Sequence, residues 1–217
     1  LYAFGLQENR LHGPAEEVAR RALALEPRVP WAVHAVAHVM ESQGRVEDGT
    51  AWLRQQQDGW VQGELLAPHL WWHMGLFRLE ALDLPGVHRL LDAHLSGSAL
   101  GSALARQDAT TLLWRLHLLG EDVGARFTLL LRDWAPDPDE AGLDCFHDLH
   151  VLLALLGADE LVRAEQWLAR AAARVMQAED ARRSHHAVAR EVALPLLRGL
   201  LSLARGDAAA EIGRAHV

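Results

Sequence analysis

Residues 31–45 read WAVHAVAHVMESQGR. Val33, Val36, Ala37 and Met40 recur at the three- and four-residue intervals of a helix that buries one face. The SQG that closes the stretch is a helix stop, and VEDGTAWL resumes the helical pattern behind it. The stretch therefore reads as helix, short turn, helix. Beside the apolar face, His34, His38 and Glu41 stand at i, i+4 and i+7 and share a face of their own.

The same pattern recurs along the chain. Five turns can be laid over one another: NRLHGPAEE, SQGRVEDGT, EALDLPGVH, LLGEDVGAR and LLGADELVR. Their aligned positions are Arg10, Gly44, Leu82, Gly120 and Gly157, with separations of 34, 38, 38 and 37 residues. A period in this range with two helices per unit is a tetratricopeptide-type signature, whose ideal repeat is ~34 residues. Strand signals are nearly absent. Helix pairs are expected at 1–11 with 14–25, 30–43 with 46–57, 65–82 with 85–95, 103–119 with 123–134, and 140–156 with 159–178. A last helix at 183–205 would open a sixth unit. In the first pair Ala15, Ala19 and Ala22 are small enough to let two helices approach, and Pro27 closes the second helix. Each pair leaves an apolar face that its neighbour must cover. The expected fold is therefore all-α: tetratricopeptide-like helix-turn-helix repeats stacked into a right-handed solenoid across residues 1–205, with 206–217 a tail. A generic helical bundle is the plainer alternative, and the regular period argues against it.

Composition narrows the classes. The formal charge of −8 speaks against nucleic acid or an anionic membrane as partner. No apolar run approaches the ~18 residues of a membrane span. Cys145 is the only cysteine, so no internal disulfide can form, and a reducing, cytoplasmic setting is expected. All 21 basic residues are Arg, and Ala, Leu, Arg and Gly dominate, as in a bacterial protein from a GC-rich genome. The only Ile, Ile212, lies in EIGRAHV at 211–217, which reads as a translated sequencing adapter and is set aside. With no Met at position 1, the chain reads as a fragment of a longer protein.

Several stretches are more specific than repeat spacing. YAFGLQEN, EEVARRALALEP, WAVHAVAHVMESQGR, GTAWL, HLWWHMGLFRLE and DLHVLLALL resemble the tetratricopeptide repeat protein 38 family across most of residues 1–205. The resemblance corresponds to the C-terminal part of a longer member. It implies a soluble α-helical repeat protein and supplies neither a reaction nor functional residues.

The histidines carry the chemistry on offer. The second unit has His34, His38 and Glu41; the third has His69, His73 and Glu80 on one face. Trp114 and His117 share a face in the fourth, and Asp144 and His147 in the fifth. Counted back from the aligned turns, His34 matches His147, His38 matches Trp114, and Glu41 matches His117. In a stacked solenoid these positions line the concave groove. The leading expectation is a non-enzymatic scaffold whose His-, Trp- and acid-lined groove binds a peptide, a protein, or the chain's own N-terminal half. The familiar clamp for acidic C-terminal peptides is not expected, because the chain has no Lys.

The alternative is a metal-dependent or small-molecule enzyme. Paired histidines at i and i+4 can chelate zinc, with His34, His38, His69 and His73 the candidates. No cofactor is otherwise expected, and histidines hydrogen-bonded within a partly buried groove outrank a metal site. HAVAH and HLWWH lack the Glu of the zinc-protease motif, so no general base is placed. Trp52, Trp71, Trp72 and Trp167 are expected in the core, with Trp71 and Trp72 turned away from His69 and His73. Cys145 and His147 point apart on a helix and form no nucleophilic couple. DWAPDPDEAG is a Pro-broken connection that caps the next helix with Asp, and Pro195 is a candidate kink.

Overall fold

The computed structural model describes residues 1–63, 66–177 and 185–207. The adapter-like 211–217, the first two residues of the expected last helix and the limits expected at 65 and 178 lie outside them. Helix is the only regular structure among the described residues. In chain order the elements are α1 (Tyr2–Glu8), α2 (His12–Leu25), α3 (Pro30–Ser42), α4 (Val46–Gln55), α5 (Gln57–Trp60), α6 (Ala67–Glu80) and α7 (Leu84–His94). There follow α8 (Ala103–Leu118), α9 (Arg126–Trp134), α10 (Cys145–Gly157), α11 (Leu161–Val175), α12 (His186–Val188) and α13 (Leu194–Ala204).

Six of these helices stop in the same way. After α1, α3, α6, α8, α10 and α13 one residue turns left-handed: Arg10, Gly44, Leu82, Gly120, Asp159 and Gly206, with φ between 56° and 80°. In each, that residue's N–H donates to the carbonyl three positions back, and the next N–H donates to the carbonyl five positions back from itself. At the second turn these are Gly44 to Glu41 at 3.0 Å and Arg45 to Met40 at 2.8 Å. The paired bonds satisfy carbonyls that the helix end leaves open. Four of the five turn positions aligned in the sequence are these residues. The fifth differs: the left-handed residue is Asp159, and Gly157 is the last residue of α10. A Cβ on Gly157 would stand 2.4 Å from the Phe127 ring, so this glycine serves helix packing rather than the turn.

Five positions beyond four of these residues lies a buried small or apolar residue, Ala15, Gly49, Val87 and Ala164, whereas Ala125, five beyond Gly120, is exposed. A Cβ on Gly49 would meet Phe77 Cζ at 2.2 Å, so α4 approaches α6 only because the position is bare. Ala15 and Ala19 are fully buried and Ala22 half-buried, consistent with a close α1–α2 hairpin. Asp144 caps α10 by accepting from the N–H groups of Phe146 and His147. Helix α10 therefore begins at 145 rather than 140, and a short 3-10 turn, Pro138–Glu140, precedes it. Toward the end of the chain a widened π-type turn, Ala189–Ala193, joins α12 to α13. Leu194 alone separates it from Pro195, which has no N–H to give a regular helix.

The chain packs as two compact units, Leu1–Leu112 and Leu113–Val217, with the boundary inside α8. In the first, α3 is enclosed by α1, α2, α4 and α6. Every residue from Ala32 to Ala37 is buried, where the sequence showed one apolar face. Leu53, Leu70, Phe77 and Leu112 complete that core. The second core gathers Leu116, Phe127, Leu152 and Leu197. Trp52 and Trp167 are buried as expected, their indoles donating to Val33 O and to Asp148. Among the described residues no helix is long and apolar enough to cross a membrane.

Candidate metal centre

Enclosure of α3 carries His34 and His38 toward α6, where His69 and His73 repeat the same i, i+4 spacing. One ring nitrogen from each of the four lies within 4.8 Å of the other three. His34 Nε2 is 2.9 Å from His38 Nε2 and 3.0 Å from His69 Nε2. His34 is 5% exposed and His73 fully buried; His38 and His69 are half-buried. Phe4 stacks on His34 with ring centres 5.5 Å apart, and Trp72 stacks on His69 at 5.1 Å.

Two carboxylates stand behind the rings. His69 Nδ1 is 2.9 Å from Asp108 Oδ2 on α8, and His73 Nδ1 is 3.1 Å from Glu41 Oε2 on α3. A carboxylate only accepts, so both rings carry a proton on Nδ1, and in the neutral rings Nε2 is a bare lone pair. His73 Nε2 is buried with no hydrogen-bond partner. His34 Nε2 faces two ring nitrogens, but it has one hydrogen or one lone pair and cannot satisfy both. Protonation is a poor remedy. Burial, then the charges His73, His38 and His69 would carry, lowers His34 to a pKa of about 2. Burial also drives His73 well below the usual range. For His38, burial lowers the pKa against an opposing pull from Glu41. Neutral imidazoles whose ring nitrogens converge on one point are the donor set of a transition metal. Around an ion bound at ~2.0–2.1 Å, tetrahedral nitrogens lie roughly 3.3 Å apart, within the range these four span.

The other residues singled out in the sequence are placed as follows. Glu80 is exposed at the end of α6, and the carboxylate on His73 is Glu41. Trp72 is not turned away from the histidines. At three positions from His69 it lies on an adjacent side of α6 and stacks on that ring, while its indole donates to Thr111 Oγ1 at 2.9 Å. Trp71 is half-buried and stacks on His94 at 3.7 Å. Trp114, half-buried, and His117, exposed, pair their rings at 5.2 Å beside Phe127 in the second unit. Asp144 is spent as a helix cap. His147 Nε2 lies 3.4 Å from Glu140 Oε2, its ring between Trp134 and Trp167. Burial and the neighbouring Asp144 charge push the Cys145 thiol up, which disfavours a nucleophilic thiolate.

Asp108 was missed. It lies on the face of α8 shared by Ala105, Ala109, Leu112 and Leu116, all buried. A lone carboxylate on that face was the available signal. No protein-family model matches the chain, and no solved structure matches it.

Proposed function

We propose that the chain is a metal-binding helical-repeat protein whose first unit holds one transition-metal ion, zinc being the leading candidate, on His34, His38, His69 and His73. The observation that carries this reading is the convergence of four ring nitrogens within 4.8 Å, two of the rings backed by carboxylates on Nδ1. Four imidazoles complete a tetrahedral shell, the arrangement of a closed binding site rather than of a hydrolytic one with an open position. We take the helical hairpins to be tetratricopeptide-like units in a right-handed solenoid, of the tetratricopeptide repeat protein 38 type. The turn geometry shared by six helix ends supports that reading. The single cysteine supports a cytoplasmic setting. A peptide- or protein-binding role belongs to the second unit in this account, where exposed His117 and half-buried Trp114 offer a ring pair.

Elemental analysis of protein purified without chelator tests the metal reading. One equivalent is expected in the wild type and almost none in His38→Ala and His73→Ala. A wild type that holds no metal and takes up no added Zn²⁺ overturns it.

A further inference from the structure

We propose that the first unit carries a second binding site, separate from the histidine cluster, which takes a small zwitterion with the ammonium and carboxylate of a free α-amino acid. The site is a cleft of about 440 Å³ where the α1–α2 turn meets the end of α3, lined by Gln7, Glu8, Arg10, His12 and Ser42. Its volume is in the small-molecule range, and every lining residue is polar.

Gln7 lies three residues before its left-handed turn. Leu79 and Leu156 hold that register in the third and fifth units, as buried apolar residues. Packing would therefore accept a leucine here. Gln7 is 8% exposed, and its Oε1 is buried with no hydrogen-bond partner among the described residues. A buried polar group left unpaired costs stability, so the fold alone does not account for this glutamine. A second such atom, His12 Nδ1, belongs to the same cleft. The amide and the ring both turn about soft terminal torsions, which can bring either atom to a ligand without moving the backbone.

The lining sets the class of ligand. Gln7 Oε1 only accepts, as does His12 Nδ1 when the ring hydrogen is on Nε2, and Glu8 adds a carboxylate. Three acceptors match the three N–H donors of a primary ammonium. A simple cation would also meet the Arg10 guanidinium, which fits a carboxylate through its forked donors. Acid and base on one cleft thus favour a molecule that carries both charges. Among the described residues Glu8 and Arg10 form no ion pair, with each other or with a third group, so both are available. Ser42 can donate or accept and serves a polar substituent.

The test titrates the isotope-labelled full chain with the common L-amino acids at millimolar concentration and reads two-dimensional amide spectra. At least one free amino acid should bind saturably and shift the backbone amides of Gln7, His12 and Ser42. Its N-acetyl and methyl-ester derivatives should each bind roughly 10- to 100-fold more weakly, because each block removes one set of charge-assisted hydrogen bonds. Glu8→Gln should weaken the free amino acid and leave the N-acetyl form unchanged. Arg10→Gln should weaken the free amino acid and leave the methyl ester unchanged. Both positions are exposed, so neither variant should disturb the fold. Gln7→Leu should abolish binding and melt no lower than the wild type, since leucine fills the same place in other units. The proposal is overturned if no free amino acid shifts these amides, or if the blocked derivatives bind as tightly as the free acid. A Gln7→Leu protein that melts lower would assign the glutamine to the fold and overturn it equally.

Discussion

Four histidines in one buried cluster place a constraint on the metal-free protein. In the unfolded chain each ring titrates near 6.5. In the fold, burial lowers His34 to about 2, His73 well below its usual range, and His38 in the same direction. A base depressed by folding contributes stability that is present above the unfolded pKa and is lost as pH falls, because only the unfolded state takes the proton. Chelator-treated protein should therefore lose stability from about pH 6.5 downward, by about 1.4 kcal/mol per pH unit for each strongly depressed ring. Thermal melts between pH 7.5 and 5 check this, and a flat melting temperature across that range would count against the buried cluster. At this scale the sequence was informative about ligands and silent about their support. HAVAH and HLWWH expose their pairs by spacing alone. Repeat register, however, aligns His34 with Trp72, not with His69, so the meeting of the two pairs depends on how α3 and α6 pack. Asp108 joins from 39 residues beyond His69, a contact no local pattern contains.

Helix ends show what a turn needs and what a sequence must spell. The left-handed residue is glycine after α3, α8 and α13, but Arg10, Leu82 and Asp159 occupy the same conformation elsewhere. That degeneracy is why spacing located four of five turns while a glycine misplaced the fifth. For a residue with a Cβ the left-handed region costs roughly 1–2 kcal/mol, and glycine returns part of that as backbone entropy. Leu82 is 71% exposed, so little packing is lost on its removal. Leu82→Gly should stabilise the protein by about 0.5–1 kcal/mol, and Gly44→Ala should destabilise it by about 1 kcal/mol. Urea denaturation of the two variants checks both signs, and the same sign for both would show that the turns are not under this strain. Pro195 had a readable effect on its helix. The adjustment took the form of a π-type turn over the five residues Ala189–Ala193, one residue short of Pro195, rather than an identified kink.

At the scale of the molecule, all-helical structure was legible because a 3.6-residue period and short stops recur throughout. The division into two units inside a continuous α8 was not, since no break in composition marks residue 112. All four candidate ligands and both carboxylates fall within the first unit. Added Zn²⁺ should accordingly slow amide exchange in α3, α6 and the first turns of α8, and leave α10 and α11 unchanged. Hydrogen exchange read by mass spectrometry separates these segments, and equal protection in α10 and α11 would show that the effect does not belong to the cluster. The protection follows from linkage, since an ion bound only by the folded state raises its stability by RT ln(1 + [L]/Kd).

The central claim is that one ion sits among His34, His38, His69 and His73. X-ray absorption at the zinc edge, on wild-type protein loaded with one equivalent, tests it most directly. The account predicts a first shell of four nitrogen scatterers at about 2.0–2.1 Å with the outer-shell pattern of imidazole, and loss of that pattern in His38→Ala, which retains almost no zinc. A shell of oxygen scatterers without imidazole, or a spectrum unchanged in His38→Ala, would contradict it.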